Sequence, residues 1–362
     1  MHVLLCPDSF KESLSAHDFC KYVTSYIKEY HPDWQITSIP MADGGEGSLD
    51  ALLPYLITPR WKKVTTVDAI HRPMEAKYLI SDNVAYIELA KSSGLAWIEK
   101  DKRDIMKANT YGTGILIQDA ISEKVKEVIL FAGGSATVDG GTGIMQALGL
   151  SFFDKNNQAI SKDVNALPLV ASVKIDGSIV PKELKFKIIC DVNNPLYGPH
   201  GAAQIYGPQK GASLEEVNIL DSGMAYLSTL LIEKRIKISP ENQGMGAAGG
   251  IALATVIMNP QLIQGASYFI QKTQLEGQMA KADLIITGEG RLDDQSLMGK
   301  ITGEVIKLSK KMRKKLVLIC GTSNSEIHDT TIIRMDQLYI AGEDSFSKPE
   351  KFIRLALQQV EK

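Results

Sequence analysis

Val128-Ile129-Leu130-Phe131 runs straight into Ala132-Gly133-Gly134-Ser135, and the same passage from a short apolar run to glycine or acid recurs four times. Val3 to Cys6 enters Pro7-Asp8-Ser9, Ile188 to Cys190 enters Asp191, Leu284 to Thr287 enters Gly288-Glu289-Gly290, and Leu316 to Cys320 enters Gly321. Apolar runs of this length without polar alternation are the pattern of parallel strands buried on both faces. In open α/β sheets the ligand lies beyond the carboxyl ends of such strands, where loop amides and helix N-termini face it. The expected fold class is α/β, and the expected ligand is an anion.

Outward from these runs, residues 1–60 read as two strand-loop-helix units. After Val3 to Cys6, Ser15-Ala16-His17-Asp18 reads as a capping box, and Ala16, Phe19, Cys20, Val23 and Ile27 share one helical face before Pro32 forbids continuation. The second unit runs through Ile36 to Ile39, the loop Asp43 to Gly47, and a helix carrying Leu49, Leu52, Leu53 and Leu56. Between Trp61 and Ile87 short alternating strands with turn signals at Arg72-Pro73 and Ser81-Asp82-Asn83 predict hairpins. Units of strand, glycine loop and helix resume at Tyr111-Gly112-Thr113-Gly114, Gly133 to Gly143 and Asp191, and residues 283–362 return to the character of the N-terminus. The pattern predicts a discontinuous α/β domain, 1–60 plus 282–362, hosting an inserted α/β domain, 61–281.

Composition narrows the function. The chain has 362 residues, enough for two domains. Its 40 basic and 42 acidic residues give a net charge of -2, so no global field favours nucleic acid or an anionic membrane, and an anion site has to be local. Cys6, Cys20, Cys190 and Cys320 lack C-x-x-C spacing and read as buried, reduced thiols. The six histidines never cluster at metal spacing. The chain starts directly in a strand, and its longest apolar run, Ile251 to Met258, falls far below the ~20 residues of a membrane span, so a cytoplasmic location is expected.

Gly133-Gly134-Ser135-Ala136-Thr137-Val138-Asp139-Gly140-Gly141-Thr142-Gly143 stands between a strand and the helix Ile144 to Leu148. Glycines let amides approach phosphate oxygens, and the helix adds its positive end; the competing reading is a structural turn. Gly299-Lys300-Ile301-Thr302 lacks the Ser/Thr and the first glycine of a Walker loop. Gly244-Met245-Gly246-Ala247-Ala248-Gly249 fits G-x-G-x-x-G but follows a turn, which argues against a dehydrogenase while leaving these glycines able to border a nucleotide. Asp43-Gly44-Gly45-Glu46 and Gly288-Glu289-Gly290-Arg291-Leu292-Asp293 set carboxylates among glycines at strand ends, which suits Mg2+, a cation that takes one or two carboxylates plus phosphates and water. Helix capping is the alternative use for each acid. Asp191 precedes Val192-Asn193-Asn194-Pro195, a stiff segment, and is placed to accept a proton from a substrate hydroxyl or to hold the metal; an Asx-turn is the alternative.

Six segments read together carry a resemblance: Pro7-Asp8-Ser9-Phe10-Lys11, Ala42-Asp43-Gly44-Gly45-Glu46-Gly47, Gly133-Gly134-Ser135-Ala136-Thr137, Asp191-Val192-Asn193-Asn194-Pro195-Leu196, Gln209-Lys210-Gly211-Ala212, and Thr287-Gly288-Glu289-Gly290-Arg291-Leu292-Asp293. In order and spacing they resemble the ATP-dependent glycerate kinase family. Val138 and Asn193 depart from it, where Asn and Asp are expected. The resemblance implies two α/β domains, one of them Rossmann- or flavodoxin-like, with a cleft between them that closes for reaction. It implies ATP, Mg2+ and D-glycerate as ligands and the 2-hydroxyl as main acceptor, in a monomer or homodimer. Expected catalytic residues are Asp191, Lys11 and Arg291, with Arg291 gripping the substrate carboxylate and Lys11 meeting phosphate, or the two roles exchanged. Substrate contacts are expected from Asp8, Ser9, Asp43, Gly44 and Gly45 besides Arg291. Nucleotide contacts are expected from Gly133, Gly134, Ser135, Ala136, Thr137, Asn193 and Gly246, and metal contacts from Asp191, Glu289 and Asp43. A metabolite-sensing domain without catalysis would need neither both acidic loops nor the strand-tip Asp191.

Overall fold

The computed structural model describes residues 1–360 except Glu12, Asp176, Arg235, Asn259, Met298, Glu326 and Asp329, and only the backbone of Thr255, Val256 and Gln295. The chain forms two compact units: Met1–Asp43, Asp50–Tyr55 and Gln264–Lys362 make the first, and Gly44–Leu49 with Leu56–Ile263 the second. Relative to the division expected at 60 and 281, residues 264–281 pack with the first unit and the loop Gly44–Leu49 with the second.

The first unit holds a five-stranded parallel sheet in the order Thr331–Arg334, Lys315–Ser323, Leu284–Leu292, His2–Leu5, Gln35–Ser38. Counted along the chain this is the doubly wound order 2-1-3-4-5, which reverses between His2–Leu5 and Leu284–Leu292. Register pairs Val3 with Leu284 on one side and with Ile36 on the other. Val3, Leu5, Leu284, Ile286, Val317 and Ile319 share a core with Phe19, Val23 and Ile27 of the helix Ala16–Tyr30 and with Phe352 and Ile353 of the helix Pro349–Val360. The alternate residues Leu4, Ile285 and Leu318 are buried as well. Burial of both faces explains the absence of alternation in these runs. The Ser15 hydroxyl caps the helix Ala16–Tyr30 by accepting from Asp18 N at 3.0 Å, while the Asp18 carboxylate accepts from the same hydroxyl instead of closing the expected box on the backbone.

Two strands outrun the sequence pattern. Leu284–Leu292 continues through Gly288, Glu289, Gly290 and Arg291, and Lys315–Ser323 continues through Gly321, so segments expected as loops are strand. The glycines mark close approach, since a Cβ on Gly321 would lie 2.4 Å from Gly290 O and one on Gly288 2.5 Å from Ile319 O. The second helix is also shorter than expected: Ser48–Leu52 gives way to a single 3-10 turn, Leu53–Tyr55, which contains Pro54.

The second unit is built on a six-stranded mixed sheet, in the order Gln261–Gln264, Lys185–Cys190, Glu127–Phe131, Val84–Glu88, Pro73–Ser81, Arg60–Val67. The last three strands pair antiparallel as the turn signals predict; Asp82 and Asn83 turn the second hairpin with φ of 47° and 61°. Val84–Glu88, Glu127–Phe131 and Lys185–Cys190 are parallel and end at one edge. Among the described residues no helix is long and apolar enough to cross a membrane.

Candidate active site

In the first unit the parallel strands deliver four charged residues to the carboxyl edge, at the point where strand order reverses. Asp8 follows His2–Leu5, its amide donating to Gly288 O at 2.8 Å, while Met41 N donates to Pro7 O at 2.9 Å and so draws in the segment that ends at Asp43. Asp8 is only 7 % exposed. Burial pushes its carboxyl well above the usual carboxylate range, the Asp43 charge raises it further, and Glu289 adds to this. The Ser9 amide, donating to Asp8 Oδ1 at 2.7 Å, and the Lys11 ammonium pull the other way and are outweighed. Glu289, 6 % exposed, is pushed up to about 7 by burial; the Ser296 hydroxyl, the Lys300 charge and the Thr302 hydroxyl oppose that, and Asp293 adds to it. Ser296 donates to Glu289 Oε2 at 2.9 Å, whereas Oε1 is buried without a hydrogen-bond partner among the described residues. The Asp43 and Glu289 carboxylates stand close enough to Asp8 to raise it, with the charge of Lys11 opposing there and that of Lys300 at Glu289, and a further cation beside the raised carboxyls would stabilise their ionised forms.

Among the described residues no group of three or more His, Cys, Asp and Glu side chains is arranged to hold a metal ion. Mg2+ does not need one, because it keeps waters and takes phosphate oxygens besides one or two carboxylates. The orphaned Glu289 Oε1 and the elevated Asp8 carboxyl fit that requirement. Arg291 lies two residues along the strand from Glu289 and therefore on the same face; its side chain is 66 % exposed and its Nε is 3.7 Å from Asp293 Oδ2.

The second unit gathers the other expected residues at its own carboxyl edge. Asp191 follows Lys185–Cys190 and is half-buried, and its charge, after burial, pushes the Cys190 thiol up to about 11. All four cysteines are free and buried, as inert thiols are. Gly133 N donates to Gly44 O at 3.0 Å, a Cβ on Gly44 would meet Ile189 O at 3.0 Å, and one on Gly133 would lie 2.4 Å from the Cα of Gly45. Two of the expected glycine loops therefore cross here in backbone contact. Leu49 N donates to the buried Glu88 Oε1 at 2.7 Å, fixing the far end of the Gly44–Leu49 loop to the tip of the neighbouring strand. Gly133→Ala should therefore destabilise the protein by about 1–3 kcal/mol, because the backbone opposite has no rotamer to retreat into. A urea unfolding midpoint within error of wild type would refute the crossing.

The helix after the glycine-rich stretch does not serve an anion. It runs Thr142–Ala147, and Asp139 accepts from Gly141 N at 3.2 Å, Gly143 N at 3.1 Å, Thr110 N at 2.9 Å and Thr110 Oγ1 at 2.8 Å. Ile144 N donates to Thr110 Oγ1 at 3.1 Å. These first-turn amides are satisfied from within, and the expectation that they face a phosphate is corrected. Gly141 and Gly143 serve packing, as a Cβ would lie 2.6 Å from the Ala254 Cβ and 2.3 Å from Tyr111 N. Ahead of them Gly134 is exposed, Ser135 is nearly buried, and Ala136 and Thr137 are buried. Lys210 Nζ donates to Ser135 Oγ and to Thr137 O, each at 2.7 Å. Asn193 is exposed. Gly246 gives its amide to Asn194 O at 2.9 Å, and a Cβ there would lie 2.4 Å from Pro195 O; Gly249 O accepts from Gly140 N at 3.0 Å. The G-x-G-x-x-G stretch thus backs the loops around Asn194 and Gly140.

Sequence reasoning gave no role to Glu88, Asp139, Lys210 or Ser296. Asp139, standing just ahead of Gly140-Gly141-Thr142, had a readable capping signal, and Lys210 lay inside a quoted segment. Glu88 and Ser296 acquire partners only through the fold.

The fold is of the α/β class: a parallel sheet whose carboxyl edge carries Asp8 and Glu289, and a mixed sheet whose parallel strands end in a glycine loop and at Asp191. The sequence profile described as the Glycerate kinase family matches residues 3–361. Similar relatives include a glycerate kinase of Halalkalibacterium halodurans, 36 % identical over 88 % of this chain and 85 % of the relative, and a glycerate 2-kinase of Escherichia coli K12, 34 % identical over 90 % and 87 %. A crystal structure described as a glycerate kinase 2 from Salmonella typhimurium LT2 superposes with a TM-score of 0.80 at 32 % identity, covering 99 % of this chain and 97 % of that one. The chain belongs to the glycerate kinase family and is an enzyme of that kind.

Proposed function

We propose that this enzyme transfers the γ-phosphoryl group of ATP, with Mg2+, to D-glycerate, chiefly at the 2-hydroxyl. The observation that carries the reading is the gathering of Asp8, Asp43, Glu289 and Lys11 at the reversal of strand order, where the Asp8 and Glu289 carboxyls are buried and raised. Bound there by Asp43 and Glu289, Mg2+ would neutralise charge on the polyphosphate. Asp191 accepts the proton of the attacking hydroxyl as the new oxygen-phosphorus bond forms and the bond from the γ-phosphorus to the bridging oxygen breaks, ADP leaving with that oxygen. Lys11 offers an ammonium to phosphate and Arg291 its two-pronged guanidinium to the carboxylate of glycerate. Ser9, Gly44 and Gly45 are the candidates for acceptor contacts, and Gly133 to Thr137, Asn193 and Gly246 the candidates for nucleotide contacts. Four buried free thiols suit a reducing compartment.

ADP formation that requires both D-glycerate and Mg2+ tests the activity, and ADP release without glycerate would count against it. The phosphorus signal of the product then decides the acceptor: a phosphate on the secondary carbon couples to one proton and gives a doublet, one on the primary carbon a triplet. Arg291→Lys should raise KM for glycerate at least about tenfold and leave KM for ATP nearly unchanged, since an ammonium cannot make the paired contact. A selective loss of ATP affinity instead would move Arg291 to the phosphate side.

A further inference from the structure

Lys210 is a buried cation that the proposed reaction does not yet use. It ends the 3-10 turn Pro208–Lys210 and is 4 % exposed. Two of its three ammonium protons go to Ser135 Oγ and Thr137 O, so one side chain ties both ends of the Ser135–Thr137 segment. The carboxylate whose charge reaches it is Asp139, and that group is already bound by four donors from Thr110, Gly141 and Gly143. Around it stand the Tyr206 ring, 6.0 Å from Nζ, and Arg103, whose Nη1 donates to the neighbouring Gln209 O at 3.1 Å. A buried ammonium is costly unless paired, and here the pairing is incomplete.

We propose that Lys210 is a positioning residue of the nucleotide site, an ammonium that holds the Ser135–Thr137 loop and lends its charge to a polyphosphate bound on the other side of it. This rests on the reading of that loop as the nucleotide side. Burial outweighs Asp139 and lowers the Lys210 amine to about 7, so at pH 8 it is largely neutral. A polyphosphate placed near it favours the charged form, and binding then takes up a proton. In the ligand-free protein the same depression makes stability rise with pH above about 7, because the unfolded lysine, with a pKa of about 10.4, still holds a proton that the folded one has released.

The test is calorimetric titration with inorganic tripolyphosphate at pH 8, in two buffers of different ionisation enthalpy, on wild type, Lys210→Met and Lys210→Arg. Wild type should take up a proton on binding. Lys210→Met should bind at least about tenfold more weakly, and Lys210→Arg should bind without the extra uptake because its guanidinium is always charged. The rise of wild-type stability above pH 7 should flatten in both variants. Equal uptake in wild type and Lys210→Arg overturns the proposal; if Lys210→Met does not fold, that comparison decides alone. The outcome is separable from the activity itself: glycerate-dependent ADP formation by wild type stands whatever Lys210 does, and its absence sinks the functional reading whatever tripolyphosphate does.

Discussion

Asp191→Asn is expected to lower kcat by two to four orders of magnitude while the unfolding midpoint stays close to that of wild type. A positioned general base contributes about 10² to 10⁴ in rate, and asparagine preserves the shape of the side chain while removing its proton affinity. Stability is spared because Asp191 follows the last residue of Lys185–Cys190 and is half-buried, outside the apolar core that Ile188 and Cys190 join. KM for ATP should change little, since the base acts on the acceptor hydroxyl. Raising the pH does not rescue a missing base, so the deficit should persist across the pH profile. A variant with near wild-type kcat would remove Asp191 from the proton transfer and leave it as a turn residue.

The second large effect is a trade between function and stability at Asp8. Asp8→Asn should cost about two orders of magnitude or more in kcat/KM and at the same time make the protein more stable at neutral pH. The sign follows from the environment. Burial and the charges of Asp43 and Glu289 raise the Asp8 carboxyl in the folded state despite Ser9 N and Lys11. An acid raised in this way contributes less stability as pH climbs from its unfolded value, about 3.9, through its folded one, so removing it relieves a cost that grows with pH. Asparagine keeps the oxygen that accepts from Ser9 N and drops the charge. A higher Tm than wild type, by a margin that widens as the pH rises, is expected. Mg2+ should narrow the gap in Tm by stabilising wild type, with its extra buried carboxylate, more than the variant. Loss of stability together with full activity would show that the acids serve the fold and not a cation.

How much of this was legible in advance differs from residue to residue. The parallel sheets were, because strands buried on both faces need unbroken apolar runs, and Val3 to Cys6, Val128 to Phe131 and Leu316 to Cys320 supply them. The strand-tip position of Asp8 and Asp191 followed from the same runs, and the hairpin turn at Asp82-Asn83 from side chains that tolerate positive φ. The family was legible from six short segments, because loops that carry chemistry keep their residue types and spacing along the chain.

Other features depend on which segments meet in space. No local pattern says that Gly290 and Gly321 lie in paired strands, since a glycine ending an apolar run looks the same in a strand as in a loop. The glycine-rich stretch after Phe131 divides in function for the same reason: Asp139 can spend its carboxylate on the first turn of the helix only because Thr110, 29 residues earlier, arrives to share it. Burial, too, is a tertiary quantity. It turns Asp8, Glu289 and Lys210 from ordinary surface charges into groups shifted toward neutrality, because desolvation depends on everything packed around a side chain and not on its neighbours in the chain. The sequence by itself determined the apolar strand runs, the order of the segments and the family; the tertiary structure decided how far two strands extend, which glycines pack, which amides are already spent, and which charges burial shifts.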